Sequence, residues 1–155
     1  MSIGVDIMSD NIVKIVPKDP FCIISKSALH KAVVFLNANI YCDSIKFECN
    51  TTPKFVDCGS NLESITCPNC GEMLSFDWWS EAMSKAAENA FTALETELPC
   101  CGKVISLNDL EYYFPCGFAC CMIDLLNPSC DIGEGTLDTI QNLLGVNVRI
   151  IQAHI

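Results

Sequence analysis

The polar and apolar positions divide the chain into short segments that follow two periods. Ile12-Val13-Lys14-Ile15-Val16 is a β-branched run closed by Pro17, Asp19 and Pro20, which predicts a strand ending in a turn. Leu29, Ala32, Val33 and Leu36 recur at helical spacing. They predict a helix through Asn37, capped by Ser25 or Ser27. Ser44 to Cys49 then alternates, with Ile45, Phe47 and Cys49 on one face and Lys46 and Glu48 on the other. Asn50-Thr51-Thr52-Pro53 reads as a turn, Lys54 to Cys58 as a second, shorter strand, and Gly59 and Ser60 as the end of this first part.

From Thr66 to Gly102 the pattern changes. This stretch begins with Cys67-Pro68-Asn69-Cys70-Gly71 and ends with Leu98-Pro99-Cys100-Cys101-Gly102. Between them Asp77 is placed to cap a helix over Trp78–Asn89, and Thr92 to Leu98 alternates as a strand does. Two cysteine-glycine corners bracketing a helix and a strand predict a self-contained insertion, with bounds at 60–104, inside one domain that spans 1–155.

Past a polar connector, Phe118 to Leu126 is an apolar run ended by Asn127-Pro128. It reads as a buried strand, with a helix as the competing assignment, because an unbroken apolar run does not separate the two. Thr136 to Leu144 predicts a helix closed by Gly145, and Val146 to Ile155 a final strand. Leaving out the insertion, the order is strand, helix, strand, strand, helix, strand. The expected fold is therefore α+β, a ferredoxin-like split βαβ sandwich of two layers carrying a zinc-binding helix and strand insertion.

Composition narrows the functional classes. The chain has 155 residues, half of them hydrophobic and 18% charged, which excludes a disordered chain. A formal charge of −10 argues against nucleic acid and anionic membranes, both of which require a basic face. No apolar stretch is long enough to span a bilayer. Met1 to Ile7 lacks the basic and apolar regions of a secretory leader. The twelve cysteines are then expected to be reduced thiols and metal ligands of a cytoplasmic protein. A mature secreted fragment, disulfide-linked, is the competing case.

Cys-x-x-Cys-Gly is a knuckle: its two sulfurs point the same way and its glycine lets backbone N–H groups approach a thiolate. Cys67 and Cys70 supply half a tetrahedron, and Cys100 and Cys101 are the obvious other half. Adjacent residues ordinarily diverge, so a sharp turn is required there; otherwise Cys58 or Cys116 supplies the fourth sulfur. Zinc is favoured, with iron left open by the spacing. Four thiolates leave no place for water, so the site is expected to be structural. A filled site takes the formal charge from −10 to about −12.

Outside this set, His30 is expected on a helix surface, and Cys22, Cys42, Cys49, Cys120 and Cys121 as small buried hydrophobes. Cys116, between a proline and a glycine, is a candidate nucleophile against the same background. The Trp78-Trp79 pair offers either an exposed binding anchor or packing over the knuckle.

The two cysteine-glycine corners look like a zinc-ribbon or zinc-knuckle site. Together with Ser106-Leu107-Asn108-Asp109-Leu110, Tyr112, Pro115, Gly117-Phe118, Asn127-Pro128 and Leu144-Gly145 to Arg149, they resemble a family of small uncharacterised bacterial proteins. The resemblance covers about residues 55–155; it implies a zinc-binding fold and no reaction. The cysteines at 116, 120, 121 and 130 depart from it. The functional expectation is a non-enzymatic zinc protein that acts by binding another protein, in a regulatory, adaptor or immunity-like role. The alternative is a thiol or redox protein using Cys67 and Cys70, or Cys116. A zinc hydrolase with an incomplete sulfur shell ranks third.

Overall fold

The computed structural model describes residues 10–59 and 62–154. The readings that fall on Met1–Ile7, Ser60 and Ile155 lie outside the described residues. The apolar segments form four long strands: β1 (Asn11–Pro17), β2 (Ser44–Val56), β7 (Gly117–Leu126) and β8 (Val148–His154). They form one antiparallel sheet in the order β2-β7-β1-β8. Helix α1 (Lys26–Asn39) connects β1 to β2, and α3 (Glu134–Leu144) connects β7 to β8. Between β2 and β7 lie β3 (Ser64–Thr66), α2 (Phe76–Glu88), β4 (Glu95–Glu97), β5 (Val104–Ser106), a 3-10 turn (Leu107–Asp109) and β6 (Glu111–Tyr113). The described residues are thus mixed α+β, as the pattern predicts.

The Ser25 cap and the Gly145 close stand as expected, and several other boundaries differ, each for a local reason. Ser25 caps α1: its Oγ accepts the Ala28 N–H at 3.1 Å. The expected turn at Asn50–Pro53 is a bulge within one strand. Cys49 pairs with Cys121 and Lys54 with Ala119, so both sides of the segment face the same neighbour. Asn50 Nδ2 donates to the Cys120 carbonyl at 3.3 Å, which satisfies an acceptor at the interruption. Helix α2 is capped by Ser75, whose Oγ accepts the Trp78 N–H at 3.1 Å. Asp77 lies in the first turn, where its charge suits the helix dipole. The strand expected over Thr92–Leu98 contracts to β4, because Ala90 and Phe91 adopt positive φ and the Thr92 hydroxyl donates to the Asn89 carbonyl. Gly145 closes α3 at φ 74°, its N–H bonded to the Gln141 carbonyl.

The competing helix for 118–126 is excluded by the position of β7. It is a central strand, paired with β1 on one side and β2 on the other, and covered on both faces. On one face, Cys121, Ile123 and Leu125 meet Leu29, Ala32 and Leu36 of α1 and Ile140 and Leu144 of α3. On the other, Phe118 and Met122 join Val16 and Ile151. This second cluster also takes in Ile65, Ala82, Ala86, Leu94, Leu98, Leu107 and Tyr112 from the 64–113 segment. The cysteine-bearing segment is therefore packed on the sheet by its own apolar residues.

Phe118 joins the two parts. It is fully buried, and its ring centroid lies 5.3 Å from Phe55 of β2 and 5.2 Å from Phe91 after α2. Phe118→Ala is expected to destabilise the fold by about 3–5 kcal/mol, read from urea unfolding followed by circular dichroism. A loss below about 1 kcal/mol would show that the segment does not rest on the sheet through this ring.

Candidate metal centre

Two turns carry the four candidate ligands, and they are built alike. In the first, after β3, the Gly71 N–H donates to the Cys67 carbonyl at 2.9 Å and the Cys67 N–H to the Glu72 carbonyl at 2.8 Å. In the second, joining β4 to β5, the Gly102 N–H donates to the Leu98 carbonyl at 2.9 Å and the Leu98 N–H to the Lys103 carbonyl at 2.8 Å. Each turn ends in a glycine in the left-handed region, at φ 79° for Gly71 and 74° for Gly102. Proline occupies the second position of both.

Overlaying these turns position by position places Leu98 where the first has Cys67, and Cys101 where it has Cys70. Cys100 stands where the first turn has Asn69. Leu98 is 1% exposed and is part of the core, so the second turn has given its first ligand position to packing. Cys100, one step before Cys101, brings the fourth sulfur from the third position instead.

The four sulfurs converge. Cys70 Sγ lies 3.4 Å from Cys100 Sγ, Cys67 Sγ lies 3.9 Å from Cys101 Sγ, and all four fall within 4.8 Å of one another. A tetrahedron with metal–sulfur bonds of about 2.3 Å has edges of about 3.8 Å, so the cluster has the size of a four-thiolate site. Adjacent cysteines both reach it because the chain turns at Pro99–Cys101. Cys67 is buried, while Cys70, Cys100 and Cys101 are exposed.

Backbone and side-chain donors already address the sulfurs. The N–H groups of Asn69 and Cys70 point at Cys67 Sγ from 3.3 and 3.4 Å, and Asn69 Nδ2 reaches Cys101 Sγ at 3.5 Å. Burial acts to raise the Cys67 thiol, yet the backbone N–H groups of Cys70 and Asn69 outweigh it and bring the thiol down to about 7. Desolvation among its neighbours, then hydrogen bonds shared with Cys70, Cys67 and Cys101, push the Cys100 thiol up to about 12. Four soft donors in a closed shell could hold a metal ion that prefers sulfur, zinc or iron.

The alternative fourth ligands lie elsewhere. Cys58 and Cys116 are buried, with Cys58 Sγ donating to the Phe114 carbonyl at 3.7 Å, and neither belongs to the cluster. Burial, then the neighbouring Cys58, pushes the Cys116 thiol well above its usual range, which disfavours a nucleophile there. His30 is exposed on α1, and His154 on β8 places Nδ1 2.8 Å from Asn11 Oδ1.

The tryptophans serve the packing. Trp78 and Trp79 are both half-buried against the core. Trp79 sits edge-on to Phe55, Phe76 and Tyr112, and its Nε1 donates to Tyr112 Oη at 3.2 Å. The Tyr112 hydroxyl in turn donates to the Leu107 carbonyl at 2.6 Å. Sequence reasoning missed Asn69 as a sulfur donor and Leu98 as the displaced ligand position; the shared Pro and Gly of the two corners was the available signal. Among the described residues, no helix is long and apolar enough to cross a membrane.

No family model, curated protein or solved structure matches the chain.

The turn equivalence makes a direct prediction. Cys100→Asn alone is expected to abolish stoichiometric binding of added Zn2+. Leu98→Cys combined with Cys100→Asn rewrites the second turn as Cys-Pro-Asn-Cys-Gly and is expected to restore one Zn2+ per chain. Metal content after gel filtration checks both. A double variant that stays empty while remaining folded would overturn the equivalence.

Proposed function

We propose that the chain is a non-enzymatic zinc protein in which one structural Zn2+, held by Cys67, Cys70, Cys100 and Cys101, clamps two turns together, and that it acts by binding another protein. The observation that carries this reading is the convergence of four thiols to within 4.8 Å from two similarly built turns. Four thiolates close the shell and leave no position for water, which favours a structural over a hydrolytic metal. Zinc is preferred to iron because paired proline-glycine corners are its habitual setting. The acidic balance, −10 before the metal and about −12 after it, supports a protein partner rather than nucleic acid or an anionic bilayer. A cytoplasmic location belongs to the same reading, since reduced thiols are what the site requires. So does the resemblance to small bacterial zinc-knuckle proteins.

On the fold, we read the sheet as the ferredoxin-like split βαβ arrangement. Two strand-helix-strand units and the order β2-β7-β1-β8 support that reading, with the cysteine-bearing segment inserted between the second and third strands of the pattern.

A second reading has one observation in its favour. The Cys67 thiol, lowered to about 7 by the N–H groups of Cys70 and Asn69, suits a Cys67–Cys70 dithiol redox pair. Native mass spectrometry before and after a chelator separates the two. One Zn2+ per chain, lost from Cys67→Ser and Cys101→Ser but kept by Cys58→Ser and Cys116→Ser, supports the metal site. Metal-free protein with a reversible disulfide between the knuckle cysteines supports the redox pair.

The pH dependence follows from the two shifted thiols. Zn2+ must displace the proton that Cys100 retains through the neutral range, since that thiol is pushed up to about 12. Apparent affinity is therefore expected to rise at least about tenfold per pH unit between pH 7 and 8. Below pH 7 the Cys67 proton must be displaced as well, and the slope steepens. Competition with a chromophoric chelator across pH 6–8 measures it, and a flat profile would exclude thiolate ligation.

A further inference from the structure

The cysteines outside the metal cluster include a second pair in contact. Cys49 on β2 and Cys121 on β7 are direct cross-strand partners, and their sulfurs lie 3.5 Å apart. Partners in antiparallel strands have Cα atoms about 4.5 or 5.5 Å apart, within the span of about 4.4–6.8 Å that a disulfide bridges. Closing the sulfurs to about 2.05 Å is therefore a matter of side-chain rotation, not strand movement. Both sulfurs are ordered against the same backbone: the Ile24 N–H points at Cys121 Sγ from 3.3 Å, and Cys49 Sγ lies 3.9 Å from the Ile24 carbonyl.

We propose that Cys49 and Cys121 form a reversible cross-strand disulfide by exchange with a small-molecule disulfide of the oxidised-glutathione class. Unequal exposure sets the order of events. Cys49 is partly buried and Cys121 is fully buried, so Cys49 is the more accessible of the two. The Cys49 thiolate attacks the external disulfide, forming a mixed disulfide and releasing one small thiol. The Cys121 thiolate then attacks Cys49 Sγ, forming the internal bond and releasing the second small thiol. Two protein thiols are oxidised, one external disulfide is reduced to two thiols, and the protons lost by the cysteines go to the leaving thiolates.

The location gives the bond a consequence. Cys49 is the last β2 residue paired before the bulge at 50–53, and β2 is an edge strand. The bond would staple that edge to the central strand where pairing is interrupted. Desolvation, with Cys121 alongside, pushes the Cys49 thiol up to about 11, so exchange is slow at neutral pH and speeds up as pH rises. The pair lies on the helix-covered side of the sheet, apart from the metal cluster, and the proposal stands whether or not zinc occupies that cluster.

The full chain, loaded with Zn2+, is incubated with oxidised glutathione at pH 7.5 and 8.5, quenched in acid, alkylated and digested with trypsin. Metal release is followed in parallel with a chromophoric chelator, so that oxidation of the metal cluster is scored separately. The expected product joins the 47–54 peptide to the 104–149 peptide, with fragmentation locating the link at Cys121. It is removed by dithiothreitol and forms about tenfold faster at pH 8.5. Cys49→Ala and Cys121→Ala abolish it, whereas Cys120→Ala keeps it; should Cys121→Ala fail to fold, Cys49→Ala at the more accessible position carries the test. A bond from Cys49 to any other cysteine would overturn the proposal. So would Cys49 remaining free once exposed Cys130 is fully glutathionylated.

Discussion

The structure depends on burying strand β7 on both faces. Gly117 to Ile123 is buried without interruption, so neither face of this strand tolerates water. Two helices cover one face. The other is open in a two-layer sandwich, and here it is closed by residues 64–113, which deliver Ile65, Leu94, Leu98, Leu107 and Tyr112 to the same cluster as Phe118. The turns that gather the cysteines are the outer ends of this covering layer. Cys67 of the first turn and Leu98 of the second are themselves part of that buried cluster.

A polar tie holds the layer in register. Arg149 on β8 donates from Nη2 to Asn108 Oδ1 at 3.1 Å and to the Cys116 carbonyl at 3.3 Å. Asn108 Oδ1 also accepts the Phe118 N–H at 2.9 Å. One side chain of the 3-10 turn thus receives a donor from the last strand and a donor from the central one. Burial lowers the Arg149 pKa from its ordinary value. A Cβ on Gly117 would strike Arg149 Nη2 and Asn108 Oδ1, so a larger residue there displaces the tie. Hydrogen bonds to a desolvated charge are worth more than neutral ones, about 1.5–3 kcal/mol each, so the tie constrains as well as it satisfies.

Much of this was legible from sequence, and the failures share a cause. Period and composition located β1, α1, α3 and β8, the helices by one apolar stripe each and the strands by β-branched runs bounded by turn residues. They placed β7 as a strand only provisionally, since a strand covered on both faces loses the alternation that identifies it. Asn50–Pro53 was misread because turn residues also serve in bulges; what distinguishes the two is whether the flanking residues pair with one strand or with each other. Ser75 and Asp77 were confused because both suit a helix start, one as a cap and one as a charge on the first turn. That Cys67, Cys70, Cys100 and Cys101 come together was legible, but the mode of convergence was not, because it depends on how the β4-β5 hairpin meets the first turn and on the seating of Leu98.

That last point bears on how adjacent cysteines come to face one site. Side chains at neighbouring positions diverge in a strand or helix, and the Cys100-Cys101 pair looks defective on that ground. The two turns resolve it by position. Cys101 occupies the site that Cys70 holds in the first turn, and Cys100 occupies that of Asn69, whose side chain already reaches toward a sulfur across the cluster. The third position of this turn therefore projects toward the site in both copies, as an amide in one and a thiol in the other. Leu98 serves the core while the third position brings a thiol to the cluster. Buried area at Leu98 and a fourth sulfur at Cys100 then belong to the same turn, which seats its first position in the covering layer and aims its third at the cluster.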